Sequence, residues 1–331
     1  MPHCRYYQTG GITIQVESDL PITDTTFRSK FRLFEVDGPG EDNLVIRHIF
    51  RPFDFENEDL GLRVYLKAPW AIYRRGDEWL YLSVSPTMAD TEAGDVAVLS
   101  DDHTLGRMYH ALEDVYRKGD LHSLSMFTTD QVLLGRVLAD RQGCYLHSSG
   151  VILDGQGLLF VGHSGAGKST MVKMLQNVGA GLAPALAPAH RGDHEGSPLQ
   201  VEVLCDDRMI VRKHPPLSGE GRGGGEGFRI HGTWSHGEVP DVSPNSAPLR
   251  AIMFLEQAAE NRLLPLSDVK EIVPRLLACL ITPYVTGDWW EKSLTLMEHI
   301  AREVPCYRLR FDKSGAVVDV LRQAFGQRHD E

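Results

Sequence analysis

The residues with the most chemistry to offer form a glycine-rich run, Val161-Gly162-His163-Ser164-Gly165-Ala166-Gly167-Lys168-Ser169-Thr170. From Gly162 it has the spacing of a phosphate-binding loop: a glycine, four residues, then Gly-Lys-Ser. The backbone N–H groups of such a loop turn inward around an anionic phosphate chain. The helix that follows adds the partial positive charge of its N-terminus. Lys168 is then expected to reach the β- and γ-phosphates, and the Ser169 hydroxyl to sit on Mg²⁺. The ligands expected from this pattern are ATP and Mg²⁺, held by residues 162–170. A second chemical feature lies downstream, where the apolar run Val201-Glu202-Val203-Leu204-Cys205 ends in Asp206 and Asp207. Carboxylates at the end of a strand that follows a phosphate loop hold Mg²⁺ or position a nucleophile.

These groups need a strand before the loop and a helix after it. The apolar run Gly157–Val161 supplies the first, and Met171, Val172, Met174 and Leu175 at helical spacing supply the second. Cys144–His147 and Val151–Leu153 read as two further strands, with a turn at Asp154-Gly155. Beyond the dicarboxylate, a strand is expected over Ala251–Glu256 and a helix over Val269–Leu280 with its N-cap near Asp268. A helix over Trp289–Glu303, a strand over Cys306–Phe311 and a helix over Ala316–Phe325 close the chain. Two Gly- and Pro-rich stretches, Gly179–Pro198 and Leu217–Gly227, read as loops. The first holds His190 and His194, whose setting argues against a helical metal pair.

Residues 1 to about 120 are β-rich. Alternating runs at Ile12–Val16, Phe31–Val36, Leu44–Phe50, Leu62–Leu66, Ala71–Tyr73 and Trp79–Val84 predict a small antiparallel sheet. Helical spacing follows over Leu105–Arg117 and Thr129–Asp140. The organisation expected is therefore a β-rich N-terminal domain over 1–125 and a phosphate-loop domain of α/β class over 126–331. The net charge of −11 excludes a general nucleic-acid platform, which needs a basic face. The five cysteines are scattered without a C-x-x-C pair, as in a reduced, cytoplasmic protein. No signal-type leader and no run of transmembrane length is seen, so no membrane partner is expected.

His147, the run Val151-Ile152-Leu153-Asp154-Gly155, the phosphate loop and the Leu204-Cys205-Asp206-Asp207-Arg208 stretch together resemble the kinase domain of HPr kinase/phosphorylase. That family belongs to the P-loop type shared with phosphoenolpyruvate carboxykinase. The resemblance runs from about residue 130 to the C-terminus, roughly two hundred residues. It implies an HPr-kinase/PEP-carboxykinase-like P-loop kinase, transferring the γ-phosphoryl group of ATP to a hydroxyl. The acceptor it implies is a serine of a peptide or protein, and a homo-oligomer is compatible with it. It also implies roles: Asp206 as the base, Asp207 as a metal-side carboxylate, His147 as an auxiliary acid/base or phosphate contact, and Lys168 on the phosphates. The stretch after the two aspartates departs from the family, and Glu238 stands in for its metal-binding acid, beside Ser169 and Asp207. The family's phosphorylase and HPr-docking stretches have no counterpart, so the chain looks closer to divergent kinases of peptide-modification clusters. A metabolite kinase on the same scaffold, or a non-catalytic nucleotide sensor, are the alternatives the residues leave open.

Overall fold

The computed structural model describes residues 3–84, 95–125, 130–179, 200–214, 227–283 and 286–326. The chain divides into two compact units, 1–137 with 282–285, and 138–281 with 286–331. The sequence reading put the divide at 125/126. Among the described residues no helix is long and apolar enough to cross a membrane. Both loop stretches, with His190 and His194, lie almost wholly outside the described residues.

The N-terminal unit is built on a nine-stranded sheet of β1 (His3–Thr9), β2 (Ile12–Ser18), β3 (Glu35–Val36), β4 (Asn43–Ile49), β5 (Leu62–Lys67), β6 (Trp70–Arg75), β7 (Glu78–Ser83), β8 (Asp95–Ser100) and β9 (Leu105–His110). Its order is β3-β1-β2-β4-β9-β8-β7-β6-β5. It is larger than expected and mixed, because β4 runs parallel to both β2 and β9. Residues 105–110, expected to be helical, are strand β9. The buried positions Gly106 and Met108 alternate with exposed Leu105 and Arg107, a period of two that the apolar count alone hides. Only Asp114–Lys118 (α1) of that stretch is helical. The strand expected over 31–36 is instead a 3-10 helix, Ser29–Phe34, followed by β3. Phe31 and Phe34 lie three apart, so one 3-10 turn buries both on the same side. The last helix, α2, is short, Gln131–Val137.

The C-terminal unit holds β10 (Gly143–Leu153), β11 (Gln156–Val161), β12 (Val201–Cys205), β13 (Arg208–His214), β14 (Gly227–His231), β15 (Ser246–Gln257), β16 (Arg262–Leu266) and β17 (Cys306–Phe311). Its helices are α3 (Lys168–Gly179), α4 (Val269–Leu277), α5 (Gly287–Glu303) and α6 (Val317–Phe325). The path is β11-β10-β13-β14-β15-β17-β16, with β12 also on β10 and β11 also on β15. The α/β class expected from sequence describes this unit. β11, β15 and β17 are mutually parallel, and their apolar residues form the core with α3 and α6. Phe160, Val172, Leu175, Met253, Phe311 and Leu321 are all buried there, each worth about 1.5–3 kcal/mol relative to exposure. The α4 N-cap is Asp268, whose carboxylate accepts from the Lys270 N–H at 2.9 Å.

The two strands expected over 144–147 and 151–153 are one continuous strand, β10. Its first half pairs with β13 and its second half with β11 and β12. The polar interruption, Ser148-Ser149-Gly150, is buried, and each member has a structural use. The Ser149 hydroxyl donates to the Asp206 carbonyl at 3.0 Å, and the Ser148 N–H donates to the Asp207 carbonyl at 3.1 Å. A Cβ at Gly150 would lie 2.5 Å from the Met209 methyl carbon. The residues that break the strand pattern in the sequence are those that clamp the two aspartates.

Candidate active site

Four elements converge at the end of β11. The chain leaves Val161, turns through the glycine-rich loop and enters α3 at Lys168. Gly165 and Gly167 have φ of +81° and +102°, where a side chain is strained. A Cβ at Gly167 would also lie 2.6 Å from the Phe311 ring at the end of β17. Gln257, the last residue of β15, donates its side-chain N–H to the Gly165 carbonyl at 2.8 Å. The loop is thus held from below by β15 and β17.

Lys168 is only 7% exposed. Its ammonium donates to the Gly162 carbonyl at 2.8 Å, to the His163 carbonyl at 3.3 Å and to His147 Nε2 at 3.1 Å. Desolvation lowers its pKa, opposed by Cys279, Asp207 and Asp206 nearby. The contact with Lys168 makes Nε2 of His147 the acceptor and so leaves the proton on Nδ1, 3.2 Å from Asp207 Oδ1. The backbone fixes the ring too, since the His147 N–H donates to the Cys279 carbonyl at 2.7 Å.

Asp206 and Asp207 form the two-residue turn between β12 and β13. The Cys205 thiol caps this turn, accepting from the N–H groups of Asp207 and Arg208, both at 3.3 Å. Burial keeps the thiol protonated by raising its pKa to about 11. The two carboxylates have different surroundings. Asp207 has partners on both oxygens: His147 on Oδ1, and Arg208 at 2.6 Å and Ser235 at 2.8 Å on Oδ2. Although burial alone would raise its pKa, hydrogen bonds from His147 and Ser235 and the Arg208 charge bring it down to about 2. Asp206 is 2% exposed; its Oδ2 accepts from the Val239 N–H at 2.7 Å, while Oδ1 is buried without a hydrogen-bond partner among the described residues.

A missing partner on a buried carboxylate oxygen costs about 1–3 kcal/mol or more, so this position calls for a cation or a proton donor. A Mg²⁺ ion fits that demand at Asp206 better than at Asp207, whose oxygens are already used. Glu238 is a poor fit. Its side chain is 74% exposed and ion-paired with Lys173 of α3 at 2.7 Å, although it lines the same cleft. Among the described residues no group of three His, Cys, Asp or Glu side chains forms a metal cluster.

A cleft of about 320 Å³ gathers His147, Ser164, Gly165, Gly167, Lys168, Ser169, Thr170, Asp206, Asp207 and Glu238. Of the residues expected from sequence, Gly162, His163 and Ala166 do not line it. They shape the loop: Gly162 and His163 offer carbonyls to Lys168, and the Ala166 N–H donates to the His163 carbonyl at 3.1 Å. Five participants were assigned no part from sequence: Arg208, Ser235, Gly237, Gln257 and Lys313. Arg208 and Ser235 carried a signal, lying in the Asp-Asp-Arg stretch and in the polar run 231–238. Gly237 packs against Asp206, where a Cβ would come 2.6 Å from Oδ1. Gly237→Ala is therefore expected to displace the Asp206 carboxylate and lower stability by about 1–3 kcal/mol. The denaturant midpoint of the variant checks this; an unchanged midpoint would contradict the packing argument.

No protein-family model matches the chain. No curated protein matches it either. Among solved structures, the Hpr(Ser) kinase/phosphatase from Coxiella burnetii is similar at 11% identity and a TM-score of 0.24, over 55% of this chain and 99% of that one.

Proposed function

We propose that the protein is a phosphotransferase of P-loop kinase type, moving the γ-phosphoryl group of Mg²⁺-bound ATP to a hydroxyl, with a serine of a peptide or protein as acceptor. The observation that carries this reading is the continuous chain Lys168–His147–Asp207–Arg208 beside the unpartnered oxygen of Asp206. A nucleotide-binding protein without chemistry needs the loop and the lysine. It has no use for an imidazole whose tautomer is fixed by a carboxylate at one nitrogen and whose other nitrogen faces the loop lysine.

The residues divide the work as follows. Loop amides and Lys168 balance the negative charge spread over the transferring group. As Lys168 turns from His147 to the phosphates, Nε2 of His147 loses its donor and becomes free to accept a proton. The acceptor oxygen attacks the γ-phosphorus, the bond to the β–γ bridging oxygen breaks, ADP leaves, and the hydroxyl proton passes to Nε2. Asp207 stabilises the imidazolium that results through Nδ1–H. Mg²⁺, when bound, supplies Lewis-acid charge neutralisation on the phosphates, with Asp206 and Ser169 as the residues to hold it. This assignment moves the metal-side role expected from sequence for Asp207 to Asp206, and the base role expected for Asp206 to His147, with Asp207 supporting the ring. An aspartate fully engaged by an arginine, a serine and a histidine is a weak base and a saturated ligand, whereas Asp206 has an oxygen to offer.

Incubation with γ-labelled ATP, Mg²⁺ and a panel of serine-containing peptides and small alcohols, read by mass spectrometry, tests the acceptor class. A phosphoserine peptide is the expected product. Label confined to a small metabolite would move the reading to a metabolite kinase, and tight ATP binding with no transfer to a sensor.

A further inference from the structure

Lys313 also lines the cleft, far in sequence from the Asp206-Asp207 turn and outside the phosphate loop. It is the second residue after β17 and lines the cleft with Gly165, Gly167, Lys168 and Gln257. The turn that carries it is anchored on both sides. The Phe311 carbonyl accepts from the Ala258 N–H at 2.9 Å, and the Asp312 N–H donates to Asn261 Oδ1 at 3.1 Å. The Asp312 carboxylate accepts from the Ser314 N–H at 2.9 Å and its hydroxyl at 2.6 Å, and the Ser314 hydroxyl in turn accepts from the Ala316 N–H at 3.3 Å. Asp312, the nearest carboxylate in sequence, is therefore turned onto Ser314. Lys313 itself is exposed and forms no ion pair among the described residues. Phe311, two residues earlier, packs under Gly167, so the turn is in register with the phosphate loop. The contrast with Lys168 is physical: one ammonium is buried and hydrogen-bonded to its own loop and to His147, the other is presented on a fixed turn with no ion-pair partner among the described residues.

We infer that Lys313 is a second phosphate-binding cation, set on the rim of the cleft to bind the polyphosphate of the donor nucleotide. This rests on the phosphotransferase reading of the cleft. Its work is in capture rather than in the transfer step. A charge on an exposed, anchored turn acts on the ligand as it arrives, while Lys168 has first to give up its loop contacts.

The test is calorimetric titration of Mg²⁺–ATP, without acceptor, into the wild type, Lys313→Ala, Lys313→Arg and Lys168→Ala, each at low and high ionic strength. Loss of one charge-assisted hydrogen bond to phosphate is expected to weaken Lys313→Ala about tenfold at low salt. Lys313→Arg should restore most of it. The gap between wild type and Lys313→Ala should shrink at high salt, where an exposed charge is screened. Unfolding midpoints of the two Lys313 variants should match the wild type, as the side chain supports nothing in the fold. If Lys168→Ala loses affinity while Lys313→Ala binds as the wild type does, the inference is overturned and the cleft reading stands. If the arginine fails to restore binding, or the gap is independent of salt, Lys313 is not a phosphate cation. If the wild type binds no Mg²⁺–ATP, both are overturned.

Discussion

Lys168→Ala is expected to reduce phosphoryl transfer by about 10²–10³-fold or more, the scale seen when one preorganised donor to a developing charge is lost. Lys168 is also the group that keeps Nε2 of His147 occupied in the absence of ligand. The variant should therefore show a second effect that does not depend on turnover: the His147 ring, relieved of the ammonium, should move its ring-nitrogen resonances in NMR spectra of the free protein. The fold should survive. The lysine lies at the first position of α3, and the core beneath it is made by Val172 and Leu175 with β10 and β11. Nucleotide affinity measured by calorimetry and single-turnover rates measured by quench together check the claim. Full activity in Lys168→Ala would remove the phosphate loop from the chemistry altogether.

His147→Ala is expected to lower kcat by about 10²–10⁴-fold, the usual contribution of a positioned acid–base group. ATP affinity should stay within a few fold, because the loop amides and Lys168, not His147, hold the phosphates in this reading. Asp207→Asn should fall in the same direction. It keeps an acceptor for Nδ1–H but removes the charge that stabilises the imidazolium, and it leaves Arg208 without its ion-pair partner. Added imidazole separates these roles from a structural one, since it should restore part of the lost rate of His147→Ala. Full activity in His147→Ala, with its loss in Asp206→Asn, would return the base to Asp206, the role that the sequence resemblance implies for it.

Much of the site was legible because it is local. A phosphate loop needs its strand, glycines, lysine and helix in direct succession, and residues 157–177 supply them in order. The Asp206-Asp207 turn announces itself as two carboxylates ending an apolar run. The helices after residue 265 were readable from period and, at Asp268, from the cap, although α4 ends at Leu277 and not at Leu280; the strand β17 has the limits expected. What was not legible depends on partners far along the chain. β10 looked like two strands because Ser148, Ser149 and Gly150 are polar or small. Their reason is the turn at 206–207, which only the fold brings alongside. The division of labour between two adjacent aspartates depends on Ser235, His147 and the Val239 N–H, none of which neighbours them in sequence. Lys313 carried no signal, since an isolated lysine after a strand is ordinarily a solvated end. In the N-terminal unit, β9 was misread because an alternating strand with one exposed leucine and one glycine can also satisfy a helical count.

The most direct test of phosphoryl transfer is phosphorus NMR of the wild type with Mg²⁺, ATP and a serine-containing acceptor peptide, run beside His147→Ala. The account predicts loss of the ATP γ-resonance with matching growth of ADP and of a phosphomonoester on the peptide, strongly slowed in the variant. Release of inorganic phosphate alone, or equal rates in the two proteins, would contradict it.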